Sequence, residues 1–425
     1  RRFQKRYPLR FRVVQSLFYS VTLQGMMLPV VAKTYYEIPV YAGLLNLIVV
    51  PGMTVVVAGS WFGLLVSIGT ISLGRFVMLP VGWMLQGYTW LCERTLELPW
   101  NTLVTGEIRG WQSGMWYGGI ACTLVLLRTK TRNKLRDFVY KHTGRFWRKR
   151  EVVRYTVCTI LISMLLQGAG QALCVWQQRT EAICFLDVGQ GDGILIRSPD
   201  GRNIVIDGGS TSQSKCGTYT LLPALRSQGM TEIDCWFVTH TDEDHISGLK
   251  ELLLQGKLTQ IKVRTVVFSA YVFQDAALAE LEAVIRAAGI TIVWMREGDV
   301  IGDDTFTLTC LHPTAEYRAK DKNAASLALA YHSDTFDMLF TGDMDADAVA
   351  DMDIQQDYDC IKLPHHGSKY SYVEGVYAHA DYGLISCGYN NRYGHPHTEV
   401  LQGLAQEGTK VLRTDEMGAV VFRGR

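Results

Sequence analysis

The chain has 425 residues and a formal net charge of +1, a length that allows two or more domains. The charge is divided unevenly, because residues 1–180 carry 22 Lys and Arg against 6 Asp and Glu, a net of +16, whereas residues 181–425 carry 20 against 35, a net of −15. This asymmetry excludes one uniform domain and predicts two parts that lie in different physical surroundings.

Long apolar stretches occupy the first half of the chain. They comprise residues 13–32, 39–69, 73–91, 111–127 and 155–176. Several approach the ~20 apolar residues that a helix needs to cross the hydrocarbon core, and the prolines that interrupt them are tolerated where neighbouring helices satisfy the backbone. Buried helices of a soluble domain are the alternative, but the stretches are nearly free of acidic residues and follow one another closely. We therefore expect an α-helical transmembrane segment over residues 1–179, the C-terminal part of a membrane domain. Because the chain has neither an initiator Met nor a signal-peptide pattern, we also expect it to be the C-terminal part of a longer polypeptide.

Two basic stretches set the expected orientation. RRFQKRYPLRFR opens the chain, and the second basic stretch fills residues 128–150. Basic loops tend to stay in the cytoplasm, so an even number of crossings, four on the stretches above, should separate the two, and the helix at 155–176 adds one more. The sequence thus predicts a multi-pass protein of the cell membrane whose residues after about 180 are extracytoplasmic. A nucleic-acid-binding tail is the alternative interpretation of 128–150.

After residue 180 short β-rich runs alternate with tight turns. The run FLDVGQGDGILIRSPDGRNIVIDGGS contains three strands separated by glycine-rich turns. Farther along, helices such as 275–289 alternate with short strands, and no low-complexity linker divides them. This pattern predicts one strand-rich α/β domain over residues 180–425.

Aspartate and histidine cluster at the end of a predicted strand in THTDEDH. His240 ends the strand, and Asp242, Asp244 and His245 lie on the loop that leads into a helix. A loop at a strand end can direct several side chains at one point, and these residue types are the common ligands of divalent metals.

Two later motifs repeat this arrangement. LFTGD places Asp343 at a strand end, and IKLPHHGS places His365 and His366 at the end of the next strand. Lone histidines are more often structural, which is our interpretation of His312 and His332. The three motifs together predict a metal site.

These residues resemble a known family. DVGQGDG, the DGG at 207–209, THTDEDH, LFTGD, PHHGS and YGHPH are similar to motifs in the metallo-β-lactamase-type domain of the ComEC family of competence proteins, the DNA-uptake channels of bacteria. IPVYAGLLNLIVVPG, with Asn46 and Pro51, is similar to the end of that family's membrane competence domain. The resemblance implies an αββα metallo-β-lactamase-like sandwich after the membrane segment, with its active site at one edge of the sandwich.

The resemblance also implies a ligand set for two divalent ions. His240 and Asp242 would hold the first ion, Asp244 and His245 would hold the second, and Asp343 would bridge them. One of the two histidines of PHHGS would complete a shell.

Further positions of the family pattern lie around this set. Asp207 would brace the motif loop as outer-shell carboxylates do. An aspartate, Asp242, stands where the second histidine of the usual motif is expected, and Asn323 stands near the place of another expected histidine. Oxygen ligands suit harder ions, so the chain is expected to bind manganese or zinc, with manganese favoured.

A pair of divalent ions suits hydrolysis at phosphorus, because such ions activate water and stabilise the attacking and leaving oxygens. Asp244 or a water activated by the ions would handle the proton, and His365 and His395 are further catalytic candidates. The candidates for contacts with the scissile phosphate or the leaving oxygen are Lys362, Ser368, Lys369, Arg392, His395 and His397. An ordinary turn is the alternative interpretation of the last three.

The predicted function is DNA internalisation in natural competence, by a membrane channel whose metallo-domain is a metal-dependent phosphodiesterase or nuclease that degrades the strand not imported. The expected partners are single-stranded or double-stranded DNA, the lipid bilayer, other proteins of the DNA-uptake machinery and further copies of the chain. Two alternatives stay open: a catalytically silent domain that binds DNA or braces the pore, and a membrane-tethered hydrolase of another phosphoester. The charge of −15 on residues 181–425 weighs against a DNA-binding domain, since nonspecific affinity rests on cations that replace counterions.

Overall fold

The computed structural model describes residues 8–127, 180–352, 354 and 356–424. Contacts divide the chain into two compact units, Arg1–Trp176 and Gln177–Arg425. The basic stretch 128–150 and the apolar stretch 155–176 lie outside the described residues. The membrane orientation that was inferred from them therefore stays a prediction.

The first unit is helical. Its elements are α1 (Pro8–Tyr35), β1 (Glu37–Pro39), α2 (Ala42–Gly69), α3 (Ile71–Leu96), β2 (Thr102–Val104) and α4 (Gly110–Leu127). The strands β1 and β2 form a small antiparallel ribbon, and α2 packs along α3. Gly74 of α3 permits this close approach, because a Cβ there would lie 2.8 Å from the Cβ of Ser67 on α2. Small residues at helix contacts are typical of membrane helices.

One of these helices meets the requirements for a membrane span. Within residues 8–127 and 180–424, α2 alone is long and apolar enough, by length and composition, to cross a bilayer. It has 28 residues and most of its apolar surface is exposed in the unit. Pro51 lies inside it without ending it, as expected of a membrane helix. The four crossings predicted for this part of the chain stay a prediction.

The second unit is built from fourteen strands among the described residues. They are β3 (Ala182–Phe185), β4 (Gly193–Arg197), β5 (Asn203–Asp207), β6 (Glu232–Phe237), β7 (Lys262–Ser269), β8 (Thr291–Met295), β9 (Val300–Gly302), β10 (Phe306–His312), β11 (Ala328–Ser333), β12 (Asp337–Phe340), β13 (Tyr358–Lys362), β14 (Ala380–Ile385), β15 (Lys410–Arg413) and β16 (Val420–Arg423). One sheet has the order β16-β3-β4-β5-β6-β7-β8 and the other β15-β14-β13-β12-β11-β10-β9. In each sheet four strands pair antiparallel and the strands that follow pair parallel.

The helices of this unit cover the outer faces of the two sheets. They are α5 (Leu222–Ser227), α6 (Glu243–Gln255), α7 (Ala276–Ala287), α8 (Ala346–Asp351), α9 (Thr398–Glu407) and α10 (Thr414–Met417). On β5, Ile204 and Ile206 pack into the core between the sheets, whereas Val205 packs against the helices. This alternation follows from the period of two along a strand. The layers therefore run helix, sheet, sheet, helix, and the predicted αββα sandwich is confirmed.

The parallel strands position the site. β5 and β6 of one sheet and β12 and β13 of the other end at the same edge of the sandwich, and the predicted site residues follow those ends. Residues that follow parallel strands meet at one edge because the strands point the same way.

Candidate metal centre

The loop after β6 carries the first group of predicted ligands. His240 is fully buried, and Asp242 is the residue that precedes α6, with an extended backbone and no side-chain bond to the helix. The carboxylate of Asp242 is therefore available for other contacts. Asp244 and His245 lie in the first turn of α6, where the helix dipole favours negative charge.

Asp207 orders this loop from the end of β5. Its Oδ1 accepts from the backbone N–H of Thr239 at 2.8 Å, and its Oδ2 accepts from the Thr239 hydroxyl at 2.7 Å. The same Oδ2 lies 2.8 Å from His245 Nδ1. Asp207 thus contacts both the residue before His240 and the imidazole of His245, which is the bracing position that the resemblance implied.

The PHHGS motif follows β13 in an unusual backbone conformation. His365 and His366 have φ of 48° and 57°, the left-handed region that non-glycine residues seldom adopt. His366 is buried, and its Nδ1 lies 2.8 Å from the carbonyl oxygen of Ser386. The Nε2 of His366 is thereby directed at Asp343, 3.3 Å away. Of the two histidines left open by the sequence, the structure places His366 in the cluster and His365 on the cavity wall.

The predicted ligands converge on Asp343. Its Oδ2 lies 3.3 Å from His245 Nε2, 3.3 Å from His366 Nε2 and 4.0 Å from His240 Nε2. Asp244 adds a further carboxylate, with Oδ2 at 3.5 Å from His366 Nε2. The donor atoms of Asp244, His245 and His366 all lie within 4.8 Å of one another, as do those of His240, His245 and Asp343.

These donor atoms fit a divalent metal. The Nε2 atoms of His240, His245 and His366 and the Oδ1 of Asp343 are buried without a hydrogen-bond partner. Each buried unsatisfied polar group costs about 1–3 kcal/mol, so four at one point need a common partner. A cation that binds nitrogen and oxygen ligands would be such a partner.

The titration of the same groups reflects an excess of negative charge. Burial lowers the pKa of His245, but Asp343 and Asp207 outweigh it and raise the pKa well above its usual value. Burial also lowers the pKa of His366, but the carboxylates of Asp343 and Asp192 outweigh this effect and raise the pKa well above its usual value. The site therefore attracts positive charge.

Asp192, in the DVGQGDG turn, is part of this site although sequence reasoning gave it no role. Gly191 has φ +148°, which favours glycine, and a Cβ there would lie 2.4 Å from the carbonyl oxygen of Gly209 and 2.5 Å from that of Asp244. The turn is therefore packed against the DGG turn and α6, which carries Asp192 into the cluster, 1% exposed. The only signal in the sequence was the motif itself.

Lys362 lies beneath the cluster rather than at the cavity surface. It is 1% exposed, forms an ion pair with Asp192, and donates to the carbonyl oxygen of Gly342 at 2.8 Å. Its Nζ is also 3.6 Å from Asp343 Oδ1. The predicted contact of Lys362 with a phosphate is not made from this position, because the ammonium is enclosed by these oxygens.

A second lysine was missed altogether. Lys322 forms an ion pair with Asp242 Oδ1 and lies 3.7 Å from Asp275 Oδ2. Next to it, Asn323, which stands near the place of an expected histidine, has a buried Oδ1 without a hydrogen-bond partner. The sequence DKNAASLAL contains no motif that predicts this ion pair, because the partner, Asp242, lies in a distant part of the sequence.

A cavity of about 330 Å³ opens over the cluster. Its lining residues are Gln190, Thr211, Asp242, Glu243, Asp244, Asp343, His365, His366, Tyr393 and His395. His395 stacks on Tyr393 with ring centroids 5.7 Å apart, and its Nδ1 is buried without a partner. Burial, with the charges of the neighbouring His366 and His365, lowers the pKa of His395 to about 4.

The remaining predicted residues lie around the mouth of the cavity. Ser368 is 2% exposed and accepts from the Tyr370 N–H at 3.3 Å, so it supports the loop. Lys369 and Arg392 are exposed. His397 precedes α9, and its Nδ1 accepts from the Lys369 N–H at 3.3 Å. Lys369 Nζ lies 3.6 Å from Glu399 Oε1, and Arg392 donates to the Tyr393 hydroxyl at 2.6 Å, so both cations lie at the rim with exposed side chains.

Two families match the chain. Residues 1–130 match the family described as Competence protein, and residues 186–315 match the metallo-beta-lactamase superfamily. Among solved structures, the metallo-beta-lactamase fold protein YhfI from Bacillus subtilis aligns at 13% identity with a TM-score of 0.39, covering 57% of this chain and 100% of that chain.

Two curated proteins are similar to the chain. ComE operon protein 3 of Bacillus subtilis (strain 168) is 32% identical over 257 residues, which cover 56% of this chain and 32% of that protein. Competence protein ComA of Neisseria gonorrhoeae is 26% identical over 289 residues, which cover 63% of this chain and 38% of that protein. The chain therefore spans about a third of the length of each. The two family matches, in this order along one chain, and the similarity to both proteins confirm the resemblance to the ComEC family of competence proteins.

Proposed function

We propose that the chain is part of a membrane channel for DNA uptake, and that residues 180–425 form a metal-dependent phosphodiesterase or nuclease that degrades the strand not imported. The observation that carries the hydrolytic part is the convergence of three buried imidazole Nε2 atoms on the carboxylate of Asp343 beneath an open cavity. The similarities support the setting, since residues 1–130 match the Competence protein family and one curated relative is named a competence protein.

The donor set supports a divalent cofactor. The pair of ions predicted from the sequence would divide the ligands into His240 and Asp242 on one side and Asp244, His245 and His366 on the other, with Asp343 between them. When bound, divalent ions would supply an activated water and neutralise charge at phosphorus. Carboxylates and the amide oxygen of Asn323 replace imidazoles here, which favours Mn²⁺ over Zn²⁺ in activity.

The chain's own residues would move the protons. Asp244 lines the cavity, and its Oδ2 is held 3.5 Å from His366 Nε2, so its carboxylate would accept the proton of the attacking nucleophile. His365 and His395 form the opposite wall, with ring centroids 5.6 Å apart. The unpartnered Nδ1 of His395 would form a hydrogen bond with the leaving oxygen.

An aromatic and basic rim supports a nucleic acid as the substrate. We define this rim as Tyr370, Tyr389 and Tyr393 with Lys369 and Arg392. The three tyrosines are 73%, 85% and 43% exposed, the Arg392 guanidinium lies 4.8 Å from the centroid of the Tyr393 ring, and Lys369 Nζ lies 5.6 Å from that of Tyr370. Bases stack on exposed aromatic rings while nearby cations attract the phosphates. The rim thus offers local positive charge on an otherwise acidic domain.

One observation favours a second candidate function, a domain that binds DNA or braces the pore without catalysis. Asp242, a predicted ligand, is paired with the ammonium of Lys322, which reduces the negative charge that it offers to a metal. A silent domain would keep the rim and the fold but would show no turnover with any ion.

For the first unit we propose a multi-pass arrangement in the cell membrane, with the metallo-domain extracytoplasmic. The 28-residue α2 and the match to the competence family support the membrane setting. The proposed partners are the lipid bilayer, DNA and other proteins of the uptake machinery.

The test is hydrolysis by the full chain, purified in detergent, of labelled single-stranded and double-stranded DNA with Mn²⁺, Mg²⁺ or Zn²⁺ and with a chelator. We expect metal-dependent cleavage that Asp343→Ala abolishes. Asp347→Ala is the matched control, because Asp347 is an aspartate close in sequence whose side chain is 85% exposed. Equal cleavage by Asp343→Ala would refute the assignment, and inertness with every ion would favour the silent domain. Cleavage of other phosphodiesters but not of DNA would favour a hydrolase of another phosphoester.

A further inference from the structure

The predicted metal centre has a first side, with His240 and Asp242, and a second side, with Asp244, His245 and His366. The carboxylates on the two sides have different partners. Asp242 Oδ1 is engaged by the ammonium of Lys322, whereas the other oxygen, Oδ2, lies 3.6 Å from His240 Nε2. On the opposite side Asp244 contacts the imidazole of His366. One carboxylate therefore already has a positive partner, and the other faces a donor nitrogen.

The grouping of donor atoms shows the same asymmetry. Asp244, His245 and His366 bring their donor atoms within 4.8 Å of one another, and Asp343 is shared with neighbouring groups. Among the described residues Asp242 belongs to none of these close groups. His240 also forms a close group, but its partners there are His245 and Asp343, and both of these belong to groups on the second side as well. Among these residues the first side therefore has one donor of its own, His240, whereas the second side has Asp244 and His366.

Lys322 is held on that side by a second carboxylate. Its Nζ lies 3.7 Å from Asp275 Oδ2, and Asp275 is fixed because its Oδ1 accepts the N–H of Leu278 at the start of α7. The hydroxyl of Thr241 donates to Asp275 Oδ2 at 3.1 Å. The ammonium is thus held by a built arrangement of loop and helix rather than by one flexible contact.

A metal ion on the first side would have to displace this ammonium or lie beside it. A divalent ion and a lysine ammonium at neighbouring positions repel each other, and the remaining donors there are His240 and the shared Asp343. Asn323, the residue after Lys322, has a buried Oδ1 without a hydrogen-bond partner, and an amide oxygen binds borderline ions more weakly than an imidazole does.

We infer that the centre holds one divalent ion, on Asp244, His245, His366 and Asp343, and that the Lys322 ammonium takes the place of the second cation beside Asp242 and His240. Lysine suits this role because it is a compact point charge on a flexible stem. The inference rests on the proposed metal dependence, but it does not rest on the nature of the substrate. It replaces the pair of ions predicted from the sequence with one ion and one ammonium.

The test is the metal content of the full chain, purified in detergent, loaded with Mn²⁺ and freed of excess ion. Atomic emission gives the number of ions per chain, and the electron paramagnetic resonance spectrum separates an isolated Mn²⁺ from an exchange-coupled pair. We expect one isolated ion in the unaltered chain and a twofold higher content, with exchange coupling, in Lys322→Met. Lys322→Arg keeps the charge and should keep one ion.

Lys320→Met is the matched control. Lys320 lies two positions away and pairs with Asp345 through a side chain that is 63% exposed, so this variant should also keep one ion. Thermal unfolding of each variant reports whether it is folded. Two coupled ions in the unaltered chain, or one ion in a folded Lys322→Met, would overturn the inference while leaving metal dependence intact. A chain that binds no ion would overturn both the inference and the proposed function.

Discussion

Replacing Asp207 with asparagine should weaken metal binding without removing any ligand. Asp207 is 1% exposed, and its Oδ2 lies 2.8 Å from His245 Nδ1. A carboxylate in this position keeps the proton on Nδ1 and leaves Nε2 available to a metal. Asparagine has nearly the same shape, and its oxygen can still accept the Thr239 N–H that Oδ1 now accepts at 2.8 Å. The amide nitrogen, however, cannot accept from His245.

The expected magnitude follows from the lost bond. A hydrogen bond to a charged group is worth about 1.5–3 kcal/mol. Removing an outer-shell partner of a ligating histidine typically lowers metal affinity about 10–100-fold, which corresponds to roughly 1.4–2.7 kcal/mol. The two ranges overlap, so Asp207→Asn should raise the dissociation constant for Mn²⁺ about 10–100-fold.

The assay is a competition titration against a chromophoric chelator, on the full chain in detergent. Asp347→Asn is the control, since it makes the same chemical change at an exposed aspartate. Thermal unfolding of the metal-free proteins shows whether Asp207→Asn is folded before metal is added. Unchanged affinity in a folded Asp207→Asn would show that this carboxylate does not orient His245.

Three further predictions concern the metal, the rim and the membrane. Asp242→His should move the fastest turnover from Mn²⁺ towards Zn²⁺, because it removes the carboxylate that holds the Lys322 ammonium and adds an imidazole, which suits zinc, beside His240; a native enzyme that is already fastest with Zn²⁺ would contradict this. Tyr393→Ala should raise KM for single-stranded DNA several-fold with little change in kcat, since base stacking contributes about 1–3 kcal/mol per base, whereas Tyr393→Phe should retain the KM; equal KM values would exclude stacking on this ring. On intact cells, a cysteine introduced at Tyr389, which is 85% exposed, should react with an impermeant reagent and one at Thr143, in the basic stretch, should not; the reverse pattern would exclude an extracytoplasmic metallo-domain.

The sandwich and the positions of the main donors were predictable because the signals are local. His240, Asp343 and His366 each follow a short apolar strand, and residues that follow parallel strands meet at one edge of a sheet. The choice between His365 and His366 was not predictable in this way. It depends on the left-handed backbone conformation of both histidines. The sequence PHHGS does not predict this conformation, and therefore does not predict which imidazole faces the cluster.

The positions of Lys362 and Lys322 could not be predicted from the sequence. Lys362 lies three residues before two histidines, and the sequence predicts that it contacts a phosphate. In the structure it is buried and forms an ion pair with Asp192. Lys322 lies in a stretch without any motif, yet it contacts Asp242. Each ion pair joins segments that are far apart in the sequence, so the partner becomes known only when the strands are in place. Charge counting predicts an acidic domain but not which cations enter its centre.

These contacts also explain why the centre lies where the two sheets meet. Thr239, after β6 of one sheet, accepts the N–H of Leu327, before β11 of the other, at 2.9 Å. The Asp192–Lys362 ion pair joins the same two sheets directly beneath the donors. A buried lysine costs free energy unless it is paired and hydrogen-bonded, and here the ion-pair partner, Asp192, is within reach only when the sheets are packed together. The metal donors also meet only when the sheets are packed together, because Asp244 and His245 follow a strand of one sheet and Asp343 and His366 follow strands of the other. Metal binding and packing of the sandwich are therefore coupled, and an ion that binds the folded domain stabilises the arrangement that creates its own site.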